Sequence, residues 1–303
     1  MIKTQVSQAF NDYRLDKYLC QKFDISFAVA QKIIREKKIK INGQKISNCE
    51  RIYLDDKIEI FANLIGRIEK TPHHQKVPIK KIENFYQQYF AKPLFEDQNI
   101  VAINKPSGIA CQGGSSIDFS IDDVIKTKNY QLIHRLDKDT SGVLVIAKNQ
   151  LTADLITDYF KQKQIEKTYY ALVYGVVKKD NGIIDIALIK KNLGKNDKVL
   201  PDPISGKQAI TNYQVLERFN DFSLLKLMPL TGRTHQLRVH CKEIGHPIIN
   251  DIKYGGIKVL KKQLANNLCL YAHQLIINNY NSQKLTITAD LPEFLIKFKK
   301  YLK

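Results

Sequence analysis

The chain is short of cysteines, of long apolar runs and of acidic residues, and each shortage excludes something. Its five cysteines, Cys20, Cys49, Cys111, Cys241 and Cys269, are odd in number and form no CxxC pair. A disulfide scaffold or zinc ribbon is therefore not expected, and a reducing, cytoplasmic location is. No apolar stretch approaches the length of a membrane-spanning helix, so no membrane partner is expected. Met1-Ile2-Lys3-Thr4-Gln5 lacks the hydrophobic core of a secretion signal. His235 and His240 lack HExxH spacing, and even with Cys241 beside them no metal site is expected. Gly113-Gly114-Ser115-Ser116 lacks the lysine of a P-loop, which argues against a phosphate-handling enzyme, and no dinucleotide fingerprint occurs. No cofactor is expected.

Positive charge is abundant. In 303 residues, 48 Lys+Arg oppose 30 Asp+Glu, a formal net charge of +18. The excess runs along the whole chain rather than in a tail, which points to a polyanionic partner, most simply nucleic acid. Lysine far outnumbers arginine, so coding bias accounts for part of it. The length suggests two domains, and 44% hydrophobic residues suffice for real cores. No self-complementary apolar stripe stands out, so a monomer is expected.

Residues 1–62 read as a small α+β module. Asn11 or Asp12 is placed to cap a helix containing Leu15, Tyr18 and Leu19. A second helix from about Ser26 carries Val29, Ile33 and Ile34 on one face, with Lys32, Arg35, Lys37 and Lys38 on another. Ile39 to Ile46 alternates around Asn42-Gly43, a hairpin signal, and Lys57 to Phe61 reads as a further strand. Residues 63–90 hold turn formers, including Thr71-Pro72 and Val77-Pro78, and read as a linker. Residues 91–303 alternate strand-like runs with a few helices, one larger α+β domain.

Within that domain three stretches carry chemistry. His134-Arg135-Leu136-Asp137-Lys138-Asp139-Thr140-Ser141-Gly142 is a charged turn ahead of the apolar run Val143 to Ala147. Such a strand can hold a carboxylate at the lip of a cleft, and Arg135 and Lys138 would favour the ionised form of Asp137 or Asp139. On local chemistry alone a solvated turn is an equal reading. Asn149 is placed to cap a helix carrying Leu151, Leu155, Ile156 and Tyr159. Lys167 to Gly175 then reads as a strand with Tyr169 and Ala171 on one face. A cleft tyrosine can stack on a nucleobase and offer a hydroxyl, though a strand tyrosine is more often core. In Leu230 to His240, Thr234 is placed to cap a helix that ends at Gly245. Arg233 would then lie at its entrance and Arg238 about one turn in, able to fix a carboxylate bidentately or to meet backbone phosphate.

These stretches resemble known families. Arg14-Leu15-Asp16-Lys17-Tyr18-Leu19, the basic second helix and Lys40-Ile41-Asn42-Gly43 resemble the S4 RNA-binding domain. The chain has Lys37-Lys38 where that family often has glycine, so a different turn is expected there. Asn104-Lys105-Pro106-Ser107-Gly108, His134-Arg135-Leu136-Asp137, Lys167-Thr168-Tyr169 and Gly232-Arg233-Thr234-His235-Gln236-Leu237-Arg238 resemble, in order, the motifs of the RluA-type pseudouridine synthases. The likeness covers residues 91–303.

The resemblance implies an α+β catalytic domain with a mixed, mainly antiparallel sheet and flanking helices, behind an α+β S4-like domain. It implies isomerisation of uridine in RNA, most like members that act on 23S rRNA, with no cofactor. Asp137 becomes the catalytic aspartate and Asp139 its neighbour. Tyr169 becomes the active-site tyrosine and a candidate proton acceptor from C5, and Arg238 the arginine paired with the catalytic carboxylate. Arg135 would fill the gap left by a flipped base. His134, Arg233, His235 and Lys105 would meet RNA, as would Arg14, Lys32, Arg35, Lys37, Lys38, Lys40 and Asn42 in the first domain. Another rRNA site, a tRNA target and a non-catalytic RNA-binding assembly factor are the rival expectations.

Overall fold

The computed structural model describes residues 1–301 apart from 24, 26, 48, 62–76, 115–116, 194–195 and 262–264. The chain divides into Met1–Lys76 and Val77–Lys303. Of the segment expected to be a linker, 63–76 lie outside the described residues, and the remainder belongs to the second unit. There Ile79–Tyr89 is a helix whose Phe85 packs, with Phe90, into a cluster that includes Val101, Ile103, Phe119 and Leu144. Its apolar residues Ile82, Phe85, Tyr86 and Tyr89 recur at three- and four-residue steps. The intervening lysines and glutamines hid that period.

In the first unit, strands Ile2–Gln5, Lys57–Ile60, Ile39–Ile41 and Gln44–Lys45 form an antiparallel sheet in that spatial order. Helices Leu15–Phe23 and Phe27–Arg35 bury Leu15, Tyr18, Leu19, Ile33 and Ile34 in one core with Ile39, Ile58 and Ile60. Asn42 and Gly43 both take positive φ, 50° and 84°, the two-residue turn that matches strand twist.

Two local expectations fail here, and a third falls on an undescribed residue. Asn11 and Asp12 cap no helix: the Asn11 side chain accepts from the Leu54 amide and Asp12 from Arg51. Ser26 lies outside the described residues, and the second helix is described from Phe27. The turn at Lys37-Lys38 is the one glycine would favour: Lys37 adopts φ 54°. The Lys37 amide donates to Ile34 O and that of Lys38 to Ile33 O, the bonds that close a helix with a left-handed residue.

The second unit is built on a ten-stranded sheet. Its main path runs Asn181–Asp185, Ile210–Arg218, Phe222–Pro229, Ile165–Tyr174, Leu270–Tyr280, Ser141–Ala147, Ile100–Lys105, Phe95–Glu96. Pairing is antiparallel except between Ser141–Ala147 and Leu270–Tyr280, so the sheet is mixed and mainly antiparallel. Ser141–Ala147 is buried on both faces. Val143 and Val145 enter a cluster with Ala171, Leu225 and Ile156, whereas Leu144 and Ile146 enter the cluster of Phe85 and Ile103. That double burial explains an unbroken apolar run in place of alternation. Helix Gln150–Lys161 starts as expected, its Asn149 side chain accepting from the Thr152 amide.

Candidate active site

The charged turn lies between strands Gln131–Leu132 and Ser141–Ala147, which pair through Leu132 and Ile146. A second loop grips it. Gly108 N–H and the Lys105 ammonium both donate to Lys138 O, and the Ser107 hydroxyl donates to Asp139 O at 2.7 Å. Within the turn, Thr140 N–H donates to Asp137 O. Gly142 ends it at φ +115°, where a Cβ would lie 2.2 Å from Ala272 O. Only glycine lets the two parallel strands approach at this point.

Asp137 is half-buried, and burial pushes its carboxyl above the ordinary carboxylate range. Arg238 and then Arg135 oppose that push, whereas Asp139 and Asp251 add to it. The sequence expectation that nearby cations dominate is thus corrected: desolvation outweighs them. Lys138 contributes through its carbonyl. Asp139 is exposed and acts on Asp137 as a like charge.

Tyr169 enters from strand Ile165–Tyr174, on the far side of Leu270–Tyr280 from the turn's own strand, through an irregularity in pairing. Thr168 faces Gln274 but Tyr169 faces Ala272, so His273 is the extra residue of a bulge. Tyr169 packs against the cores on both sides of the sheet. Burial, then the Asp137 charge, raises its phenol well above the usual range. The shift favours the protonated phenol, a hydroxyl donor on a ring that can stack.

Arg238 is on helix Gln236–Glu243, but its partner is not the one expected. It donates through Nε and Nη2 to Asp251, at 2.8 and 2.7 Å, and the two side chains are 6% and 0% exposed. Arg238 meets Asp137 through the field of its charge, with no hydrogen bond between them among the described contacts. Asp251 also accepts from the Tyr254 amide, and the Tyr254 ring lies beneath the Arg238 guanidinium at 5.2 Å. Neither Asp251 nor Tyr254 was expected from the sequence. The partner of Asp251 lies 13 residues back on another helix, a pairing that no local pattern marks.

Other expectations divide. Arg135 and Arg233 are exposed, as RNA contacts require, although Arg233 Nε also donates to Gln208 O. Lys105 is fully buried, and its ammonium donates to the carbonyls of Pro106, Ile109 and Lys138. Burial draws it down to about 8; it braces the turn rather than meeting RNA. His134 accepts from the Val145 amide through Nε2 and, drawn down to about 3 by burial and then Lys167, is a neutral strut. His235 sits at φ 52° with Nδ1 2.7 Å from the Tyr254 hydroxyl, and burial draws it down to about 4. Thr234 caps nothing. Instead the Gln236 amide accepts from Arg233 N–H and the Thr231 hydroxyl, and donates to Ile210 O and Thr211 Oγ1.

In the first unit, Lys32, Arg35 and Lys37 are exposed and Lys38 is half-buried. Glu36 pairs with Lys32 and Lys38, which reduces the field of that face. Lys40 lies over the Phe61 ring. Arg14 is bound twice by Asp16 yet stays half exposed. Asn42 is spent internally, donating to Asp56 and accepting from the Lys57 amide, and so shapes the hairpin instead of meeting RNA.

Comparison with known proteins places this geometry. The model of RNA pseudouridylate synthases matches residues 99–243 and that of the S4 domain residues 14–49. A ribosomal large subunit pseudouridine synthase C of Rickettsia felis is 39% identical over 277 residues, covering 85% of this chain and 88% of that protein. The chain belongs to the RluA-type pseudouridine synthases and carries an S4 domain. A synthase C of Pasteurella multocida is 32% identical over 248 residues, 80% of this chain and 74% of that protein. Among solved structures, human RNA Pseudouridylate Synthase Domain Containing 4 aligns with TM-score 0.61 at 28% identity, over 72% of this chain and 95% of that one. The synthase match spans the charged turn, Tyr169 and Arg238; Asp251 and Tyr254 lie beyond its end.

Proposed function

We propose that this synthase isomerises uridines of large-subunit (23S) ribosomal RNA to pseudouridine, with Asp137 as the acting carboxylate. The observation that carries the reading is the convergence of Asp137, Tyr169 and the Arg238–Asp251 pair around one half-buried carboxyl. Two names among the relatives, each a ribosomal large subunit pseudouridine synthase C, support the choice of RNA.

The reaction breaks the C1′–N1 bond, turns the uracil and joins C5 to C1′. C5 gives up one proton and N1 gains one, so atoms balance with no redox partner. Attack on C1′, addition to the ring and proton removal all require an unprotonated Asp137 stripped of water. Burial supplies the stripping and raises basicity, while Arg238 and Arg135 preserve the charge. Tyr169 offers its ring to the uracil. Arg135, exposed at the lip, is positioned to replace an extruded base in its stack.

Chemical mapping of pseudouridine in rRNA and tRNA from a deletion strain tests this. Loss of one or more large-subunit rRNA sites is expected. Loss confined to tRNA would overturn the choice of RNA, and no loss anywhere would leave the non-catalytic reading.

A further inference from the structure

Beside the candidate active site lies a hollow of about 490 Å³ lined by Lys198, Lys242, Lys253, Lys258, Tyr254 and the Gly255-Gly256 turn, among others. Four ammonium-bearing residues line it and no carboxylate residue does. Lys242 is paired with Glu243. Among the described contacts Lys198, Lys253 and Lys258 make no ion pair, although Lys198 lies over the Tyr254 ring at 5.8 Å. What sets the hollow apart is four lysines in one concavity with no carboxylate in its lining.

The wall at Gly255-Gly256 is a turn that requires glycine for its own packing and backbone conformation. Gly256 holds φ 69° and ψ −167°, a conformation that only glycine adopts readily. At Gly255 a Cβ would meet Val259 at 2.7 Å. Tyr254 faces both sites: it lines the hollow, its ring lies against Arg238 and its hydroxyl bonds His235.

Resting on the function proposed above, we infer that this hollow takes a backbone phosphate of the RNA strand that carries the target uridine. Ammonium groups open to solvent hold a free anion weakly. A strand already held at Asp137 presents its next phosphates at high effective concentration, and displaces counterions from each. The shared Tyr254 makes the hollow an extension of the active site.

The test compares the full-length protein with a Lys198→Ala, Lys253→Ala, Lys258→Ala triple variant. A control variant removes three exposed lysines outside the hollow, Lys92, Lys178 and Lys284. Affinity for a large-subunit rRNA transcript is measured against salt. The hollow variant should bind about tenfold more weakly near 0.1 M salt, with a log–log salt slope shallower by about 2 than wild type. KM should rise while kcat holds. A slope and affinity equal to those of the control variant would overturn the inference. So would millimolar inorganic phosphate binding to wild type but not to the hollow variant while leaving bound RNA in place, which would mark a free-phosphate site. Affinity is read without conversion, so failure of the functional reading would appear separately, as bound RNA with no product.

Discussion

Arg238 is committed to Asp251, not to Asp137: two hydrogen bonds of 2.8 and 2.7 Å join the first pair in a site sealed from solvent. Under the proposed function, Asp137 thus keeps its lone pairs for the substrate while still receiving the arginine's field. Asp251 fixes where that field originates, and as a like charge it also keeps Asp137 basic. Removing one partner of a buried pair leaves the other uncompensated, so Asp251→Ala should lower stability by about 3–5 kcal/mol in denaturant titration. Asp251→Asn removes the like charge and frees Arg238 toward Asp137, and both changes lower the Asp137 pKa. The acidic limb of kcat/KM should move to lower pH and kcat should fall. A limb unchanged in a folded Asp251→Asn protein would contradict this role.

Asp137→Asn retains shape but cannot carry the negative charge. RNA affinity should stay within about twofold and pseudouridine formation should vanish; residual turnover within tenfold of wild type would remove Asp137 from its assigned role. Tyr169→Phe keeps the ring. If the hydroxyl serves only as a donor, kcat should fall modestly, by about tenfold, the scale of one neutral hydrogen bond. An unchanged kcat would reduce Tyr169 to a stacking surface.

Gly142→Ala places a methyl 2.2 Å from a strand carbonyl, at a φ that L residues rarely adopt. Strand pairing beside the charged turn must open to admit it. We expect a loss of at least about 3 kcal/mol, or no folded protein, by thermal melting and yield.

Acid should weaken the fold through its neutral histidines. His134 stays unprotonated down to about 3 in the folded chain, against about 6.5 when unfolded. Between those values the unfolded chain binds a proton that the folded one refuses. The contribution is whole above about 6.5 and is lost progressively as pH falls toward 3. His235, drawn down to about 4, acts in the same direction. His134→Gln can still accept from Val145, and its melting temperature should fall less steeply than that of wild type between pH 6.5 and 4.

The sequence by itself determined most of the elements, though not the helix Ile79–Tyr89, and singled out the candidate site residues. Those signals are local: Asn42-Gly43 can form only a tight turn, Asn149 caps the helix that follows it, and Val143 to Ala147 has no polar face to expose. Four short motifs in order sufficed to single out Asp137, Tyr169 and Arg238. The tertiary structure decided how these groups are used. Lys105 looked like an RNA contact because a lysine is normally solvated, and only the meeting of two loops shows three carbonyls around it. The direction in which Asp137 shifts depends on burial, which neighbours in sequence do not reveal. Asp251 and the lysine hollow arise from residues distant in the chain, because charge acts through space and its partners are chosen by the fold.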